Sequence, residues 1–268
     1  MQRLLALDLD GTTVDDRGFL LPETMQSLET ARRNQTLVCF VTGRCEFEMT
    51  SVSSFLAYAD FLCINNGSKV TDLRTNEVLL HKCVNALEAR QVIELALNKG
   101  FLLHVKAGLF WGVNLFDATV QKFAEFAEQT PHVYRSPDEV PLNQIDGFSI
   151  TSSHACHEID KLIAQKGLDL YTLPSQVNYY DVMQNRINKW VAVSLVARHL
   201  NLPVKNIIAV GDYTNDIEMI RGAGIGIAVQ NANEDAKAAA DYISSRTNNH
   251  NAIGEIVAKF ILQNAIET

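Results

Sequence analysis

The sequence predicts an α/β fold: a doubly wound parallel sheet interrupted by an inserted α+β domain. Three observations lead there. Short apolar runs alternate with helical patterns in the first third of the chain and again in the last third, as β-α-β units do. The stretch between them carries aromatic-rich, alternating strands, as a half-exposed antiparallel sheet does. The 268 residues exceed the usual single-domain size, so one large domain or two modest ones are expected, and 47% are apolar, enough for a real core. The simplest division is a discontinuous α/β domain of residues 1–81 and 185–268 with residues 82–184 inserted.

In the first third, Leu4–Asp10 reads as a buried strand, and Pro22 opens a helix running to about Asn34. Leu37–Val41 is a second strand, Cys45–Tyr58 a helix, and Phe61–Ile64 a third strand ending in Asn65-Asn66-Gly67. In the insert, helices are predicted over Asn85–Asn98, Ala118–Gln129 and Cys156–Gln165. Its strands are predicted over Phe101–Val105, Phe110–Val113, Gly147–Thr151, Leu168–Leu173 and Val177–Met183. In the last third a helix over Lys189–Leu200 precedes the strand Asn206–Val210. Short helices at Asp216–Ile220 and Ala236–Ala240 alternate with strands at Gly226–Val229 and Tyr242–Ile243, and a helix over Ile253–Ile266 closes the chain.

Composition narrows the function classes. The net charge of −8 disfavours nucleic acid and anionic membrane as partners, although it leaves a small anionic ligand open. The start, MQRLLALDLD, is too short in apolar length for a signal peptide, and no run approaches a membrane span. Five cysteines (39, 45, 63, 83, 156) without a Cys-x-x-Cys pair read as reduced thiols of a cytoplasmic protein.

Chemistry concentrates where strands end. Asp8 and Asp10 stand two apart at the end of the first strand and so face one side. Paired carboxylates there repel each other and lose hydration, which a fold tolerates only with a cation nearby. Gly11 frees the backbone to turn. Asp212 and Asp216 straddle another strand-to-helix turn, Asp216 in the first helical turn, where an acid is favoured. Ligand crevices of open α/β sheets border the carboxyl ends of the strands, so the four carboxylates meet at one edge. A divalent cation and Lys189 offset their charge of −4 to about −1, and hard oxygen donors suit Mg²⁺. Lys189, after the capping residue Asn188, opposes the helix dipole by about 0.3–1 kcal/mol, a sign that carboxylates and phosphate reverse. Thr42-Gly43 offers a hydroxyl and backbone N–H groups as an anion seat, though a capping role explains the pair equally well.

These four segments, in this order, resemble the motifs of the haloacid dehalogenase superfamily of phosphohydrolases. Asp8-Leu9-Asp10-Gly11-Thr12 resembles the first motif, Thr42-Gly43-Arg44 the second, Lys189 the third, and Gly211-Asp212-Tyr213-Thr214-Asn215-Asp216 the fourth. The insert is similar to the type-IIB cap of the Cof-like sugar phosphatases, and Asn66-Gly67, Gly224–Val229 and Asn231-Ala232 look like recurring Cof-like features. Trp190 is a departure, standing where many relatives have Gly. The resemblance implies a Rossmann-like core with an α+β cap and a Mg²⁺-dependent phosphatase acting on a small phosphorylated metabolite, a sugar phosphate by preference. It implies Asp8 as nucleophile forming an aspartyl-phosphate and Asp10 as acid and base. Thr42, Gly43, Lys189 and Asn215 would bind the phosphoryl oxygens. The metal would be held by Asp8, Asp10 and Asp212, with Asp216 in support.

In the insert, Trp111, Asn114, His154 and Tyr179 are candidates for substrate contact, while Phe123, Phe126 and Phe148 read as core. His154 and His157 share a helical face but lack a third metal ligand. A phosphomutase, a receiver-like signalling module that phosphorylates an Asp beside Mg²⁺, and a phosphometabolite sensor are the alternatives. The second Asp of the first motif and the roughly 100-residue insert argue against the signalling module.

Overall fold

The computed structural model describes residues 2–49 and 53–263, excluding the side chains of residues 53 and 126. The Phe126 side chain and the predicted helix beyond residue 263 therefore lie outside what the structure describes. The chain opens with β1 (Arg3–Leu7), α1 (Pro22–Arg33), β2 (Thr36–Val41), β3 (Phe61–Ile64), β4 (Lys69–Asp72) and β5 (Glu77–His81). Then follow α2 (Ala86–Lys99), β6 (His104–Ala107), β7 (Phe110–Val113), α3 (Ala118–Ala127), β8 (His132–Val133), β9 (Gly147–Ile150), α4 (Ser153–Lys166), β10 (Leu170–Gln176) and β11 (Tyr179–Gln184). The chain continues with α5 (Lys189–His199), β12 (Ile207–Gly211), α6 (Ile217–Gly222), β13 (Ile225–Ala228), α7 (Glu234–Ala239), β14 (Tyr242–Ile243) and α8 (Ala252–Ile256). Two compact units result, Met1–Gly43 with Val52–Leu80 and Asn188–Thr268, and Arg44–Ser51 with His81–Ile187.

The first unit is built on an eight-stranded sheet in the order β14-β13-β12-β1-β2-β3-β4-β5. Neighbours from β14 to β3 are all parallel, and β4 runs antiparallel to β3. Leu4, Ala6, Cys39, Val41, Phe61 and Cys63 pack with Ala192, Val193, Val196 and Ala197 of α5. Leu5, Leu7, Val38 and Phe40 alternate with them and are buried as well, so both sheet faces are covered. That is why these strands read as unbroken apolar runs. Strand order reverses at β1, whose neighbours are β2 and β12. Leu7 lies level with Phe40 and with Val210. The segments that follow the three central strands therefore emerge side by side, at the switch point where such sheets bind ligands.

The second unit is a six-stranded sheet in the order β10-β11-β9-β6-β7-β8, antiparallel except for the β7–β8 pair. Ala89, Val92, Ile93 and Ala96 of α2, with Ala155 and Ile159 of α4, cover Val105, Phe148, Ile150 and Val182. Each helix is delimited by local chemistry. The Asn85, Asp117 and Ser152 side chains accept from the first-turn amides of α2, α3 and α4. Among the described residues no helix is long and apolar enough to cross a membrane.

Several elements differ from the sequence reading. Of the helix predicted over Cys45–Tyr58, residues 50–52 lie outside the described residues, and the described part holds two short 3-10 turns, Phe47–Met49 and Ser53–Tyr58. Thr50-Ser51-Val52-Ser53-Ser54 lies across this stretch, and β-branched and hydroxyl residues are weak helix formers. The strand predicted from Phe101 begins only at His104, because the Asn114 amide takes the backbone instead, accepting from the Leu103 N–H and donating to the Phe101 carbonyl. The strands β4, β5 and β8 escape the sequence reading: at four, five and two residues they are too short for a periodicity to stand out. The closing helix is a short α-helix followed by a π-helical turn over Val257–Leu262.

Candidate active site

The site is built where the first unit's central strands end. After β1 the chain tightens at once: the Leu9 carbonyl accepts from the amides of Thr12, Thr13 and Val14. Gly11 turns there with a φ of +75°, and a Cβ on it would come within 2.5 Å of Asp212 Oδ2. Glycine is required at this point for conformation and for space. The Asp8 amide donates to the Val210 carbonyl, and its own carbonyl accepts from the Thr13 hydroxyl, so its backbone is fixed on both sides. Asn231 Nδ2 donates to the Gly11 carbonyl at 2.7 Å and pins the turn.

Lys189 reaches the same point from the first turn of α5, whose N-cap Asn188 accepts from the Val191 amide. Its side chain is fully buried, and Nζ donates to Asp8 Oδ1 at 2.5 Å and to Asp216 Oδ1 at 2.6 Å. The other Asp216 oxygen accepts from the Asp212 and Tyr213 amides at 3.0 and 3.1 Å. Asp216 thus spends both oxygens on holding the lysine and shaping the turn after β12. Asp212 Oδ1 accepts from the Thr12 hydroxyl at 2.9 Å.

Carboxylate oxygens of Asp8, Asp212 and Asp216 lie within 4.8 Å of one another, forming an acidic group able to hold a metal ion. Asp10 is not one of the three. The strand ends at Leu7, so the two-residue alternation that placed Asp10 beside Asp8 no longer applies after the turn begins. Burial raises Asp8 well above the usual carboxylate range; Lys189 opposes that rise while Asp216 and Asp212 add to it. Burial, with Asp216 beside it, lifts Asp212 to about 7. Burial alone would lower Lys189, but Asp216 and Asp8 reverse this and raise it above its ordinary value. A divalent ion fits this donor set. It would neutralise two clustered oxygen-donor carboxylates that one ammonium leaves uncompensated.

The loop after β2 is linked to the turn that carries Asn215 and Asp216. The Thr42 amide donates to the Cys63 carbonyl, and the Thr42 carbonyl accepts from the Asn66 amide, both at 2.9 Å. Asn66 Oδ1 accepts from Asn215 Nδ2 at 3.0 Å. Thr42 and Asn215 are thus tied together through Asn66, a link not foreseen from the sequence. The signal was the Asn-Asn-Gly run: all three residues adopt positive φ, 47°, 51° and 99°. Asn tolerates that region and Gly enters it freely, and a Cβ on Gly67 would come within 2.6 Å of the Asn188 carbonyl. Thr12, given no role in the first motif, and Thr13, which the sequence reading did not single out, bond to Asp212 and to the Asp8 carbonyl. Trp190, the departure from the family pattern, packs its indole directly against Gly222 of α6, where a larger residue has no room.

The insert's candidates separate. Trp111 is buried, stacked on Phe47 at 5.4 Å and donating to His104 Nδ1, and Asn114 is committed to the backbone of Leu103 and Phe101. Both are parts of the second unit's interior. Phe123 packs edge-on to Trp111, and Phe148 is core. Tyr179 is half-buried, with Lys106 Nζ 5.8 Å from its ring centre. His154 and His157 are exposed on α4 and belong to no metal-ligating group among the described residues.

Comparison with known proteins agrees with this architecture. A family model for haloacid dehalogenase-like hydrolases matches residues 5–257. The chain is 28% identical over 267 residues to the Bacillus subtilis 5-amino-6-(5-phospho-D-ribitylamino)uracil phosphatase YcsE, covering 97% of this chain and 96% of that protein. A haloacid dehalogenase-like hydrolase from Bacteroides thetaiotaomicron shares the fold with a TM-score of 0.85 at 20% identity, over 97% of this chain and 99% of that one. The subclass IIB sugar phosphatase BT4131 does so with a TM-score of 0.80 at 20% identity, over 99% and 98%. With these motifs on the ends of a doubly wound sheet, the chain belongs to the haloacid dehalogenase-like hydrolase family, as an enzyme of the phosphatase type.

Proposed function

We propose that this enzyme hydrolyses a small phosphorylated metabolite, a sugar or polyol phosphate, through an aspartyl-phosphate on Asp8 and with Mg²⁺. The observation that carries this reading is the Asp8 carboxylate, buried, bonded to Lys189 and facing Asp212. Asp8 attacks phosphorus as its bond to the leaving oxygen breaks, and Asp10 protonates that oxygen. Water then attacks the phosphorus, Asp10 takes its proton, and the acyl-phosphate P–O bond breaks to give inorganic phosphate and the free carboxylate. Lys189, Thr42, Gly43 and Asn215 bind the phosphoryl oxygens. Asp216 keeps Lys189 aimed at Asp8, and its own oxygens are already committed. The Asp8 carboxylate, the Asp10 carbonyl and Asp212 are the groups that would hold Mg²⁺, which when bound neutralises phosphoryl charge. Residues 82–184 form the cap in this reading. The ribityl phosphate and sugar phosphate named for two of the relatives support an alcohol of that class as leaving group.

The test is a phosphate-release screen over phosphomonoesters with and without chelator, on the native chain and on Asp8→Asn. The variant is expected to lose at least ~10³-fold in kcat, about 4 kcal/mol. Near-normal turnover by it removes Asp8 as nucleophile. Isomer interconversion without phosphate release makes the enzyme a mutase.

A further inference from the structure

Within the second unit, three side chains of different chemistry converge. His81 ends β5, Cys83 follows two residues later, and Asp146 immediately precedes β9. The Val84 amide donates to the Ile145 carbonyl at 2.7 Å and holds the two segments side by side. His81 Nε2 lies 2.6 Å from Asp146 Oδ1, and Cys83 Sγ lies 3.6 Å from His81 Nε2 and 4.0 Å from Asp146 Oδ1. The Asp146 side chain is wholly buried, and its second oxygen accepts from the Gly108 amide at 2.7 Å, so its orientation is set before any ligand arrives. The Asp146 amide donates to the Lys106 carbonyl and locks the backbone as well. His81 is about two-fifths exposed, which leaves a path from solvent.

We propose that His81, Cys83 and Asp146 form a second metal site, selective for a borderline transition cation of the zinc type. A tetrahedral ion with bonds of about 2.0 Å to nitrogen and oxygen and about 2.3 Å to sulfur sets its ligands about 3.3 Å (N to O) and about 3.5 Å (S to N or O) apart. The Cys83–His81 edge, at 3.6 Å, is already at that spacing. The His81–Asp146 edge must open by about 0.7 Å and the Cys83–Asp146 edge close by about 0.5 Å, as the ion takes the place of the hydrogen that His81 and Asp146 share and solvent returns a proton to His81 Nδ1, which keeps the imidazole neutral. Binding releases the Cys83 thiol proton, and thiolate, neutral imidazole and carboxylate together carry −2, which neutralises the dication. Solvent takes the fourth position on the exposed side of His81. Sulfur and nitrogen donors separate this site from the all-oxygen group at Asp8, which suits a hard cation.

Co²⁺ tests the site, because only a cysteine ligand gives a thiolate-to-cobalt charge-transfer band and the group at Asp8 contains none. The full chain, in saturating Mg²⁺, is titrated with Co²⁺ and then with competing Zn²⁺. One equivalent of Co²⁺ is expected to produce the band, Zn²⁺ to abolish it, and affinity to fall at least about tenfold per pH unit below the thiol's titration. The band is expected to disappear in Cys83→Ser and in His81→Ala, with circular dichroism and Mg²⁺-supported phosphate release by Cys83→Ser unchanged. Absence of the band in the native chain overturns the proposal, and so does its persistence in either variant. Loss of phosphatase activity in the Asp8 test leaves this result untouched.

Discussion

Replacing Lys189 by methionine removes a cation bonded to both Asp8 and Asp216 while keeping most of the side-chain volume. Two charge-assisted hydrogen bonds, at 2.5 and 2.6 Å, are lost inside the protein. At about 1.5–3 kcal/mol each they sum to about 3–6 kcal/mol. That range brackets the 3–5 kcal/mol typical of breaking a buried pair by removing one partner. The stranded carboxylates then take up protons, so the loss depends on pH. In urea unfolding with chelator, the variant should lose about 3–5 kcal/mol near pH 8 and clearly less near pH 5, where Asp8 and Asp212 can be neutral. Turnover should fall at least about 100-fold, since a protonated Asp8 is no nucleophile. A variant within about 1 kcal/mol of the native stability at both pH values would refute the electrostatic account of the site.

Asp212 carries a sign that can be checked in the metal-free enzyme. Its ordinary value of 3.8 rises to about 7 on folding, so between those values the native state holds a proton that the unfolded chain has released. The contribution of this group to stability therefore falls as pH rises from about 4 to 7 and then levels off. Thermal unfolding in chelator should show that decline, and Mg²⁺ should remove it by binding the ionised form. Asp212→Asn is expected to raise the Mg²⁺ concentration for half-maximal phosphate release at least about 100-fold; an unchanged requirement would exclude it as a ligand. Asn114→Leu should cost about 1–3 kcal/mol in urea unfolding, by stranding the buried Leu103 amide, and leave KM unchanged; a raised KM without destabilisation would return Asn114 to substrate contact.

The parts of the fold legible from sequence are those where one force dominates. Strands such as Leu4–Leu7 and Ile207–Val210 are covered on both faces, so burial alone writes a continuous apolar run. Helices with side-chain caps, such as α2 behind Asn85 and α5 behind Asn188, announce their starts locally. Where local and distant forces compete, the reading failed. Asn114 diverts the backbone at Phe101–Leu103, and 3-10 turns stand at Phe47–Met49 and Ser53–Tyr58 where the sequence predicts a helix. Trp111 and Asn114 show the same limit among site residues, because an amide or an indole looks alike in sequence whether it meets a ligand or a neighbouring strand.

By itself the sequence determined which residue types stand at strand ends: Asp8 before a glycine turn, Thr42-Gly43, Lys189 behind its cap, and Asp212 with Asp216. Only the tertiary structure decided how the charge is shared among them. Lys189 bonds Asp8 and Asp216, Asp212 is left to titrate near neutrality, and Asp10 stands outside the carboxylate group. The physical reason is range. Strand burial and helix capping act within a few residues, whereas these pairings span 181, 27 and 200 positions and exist only once the sheet has aligned its ends.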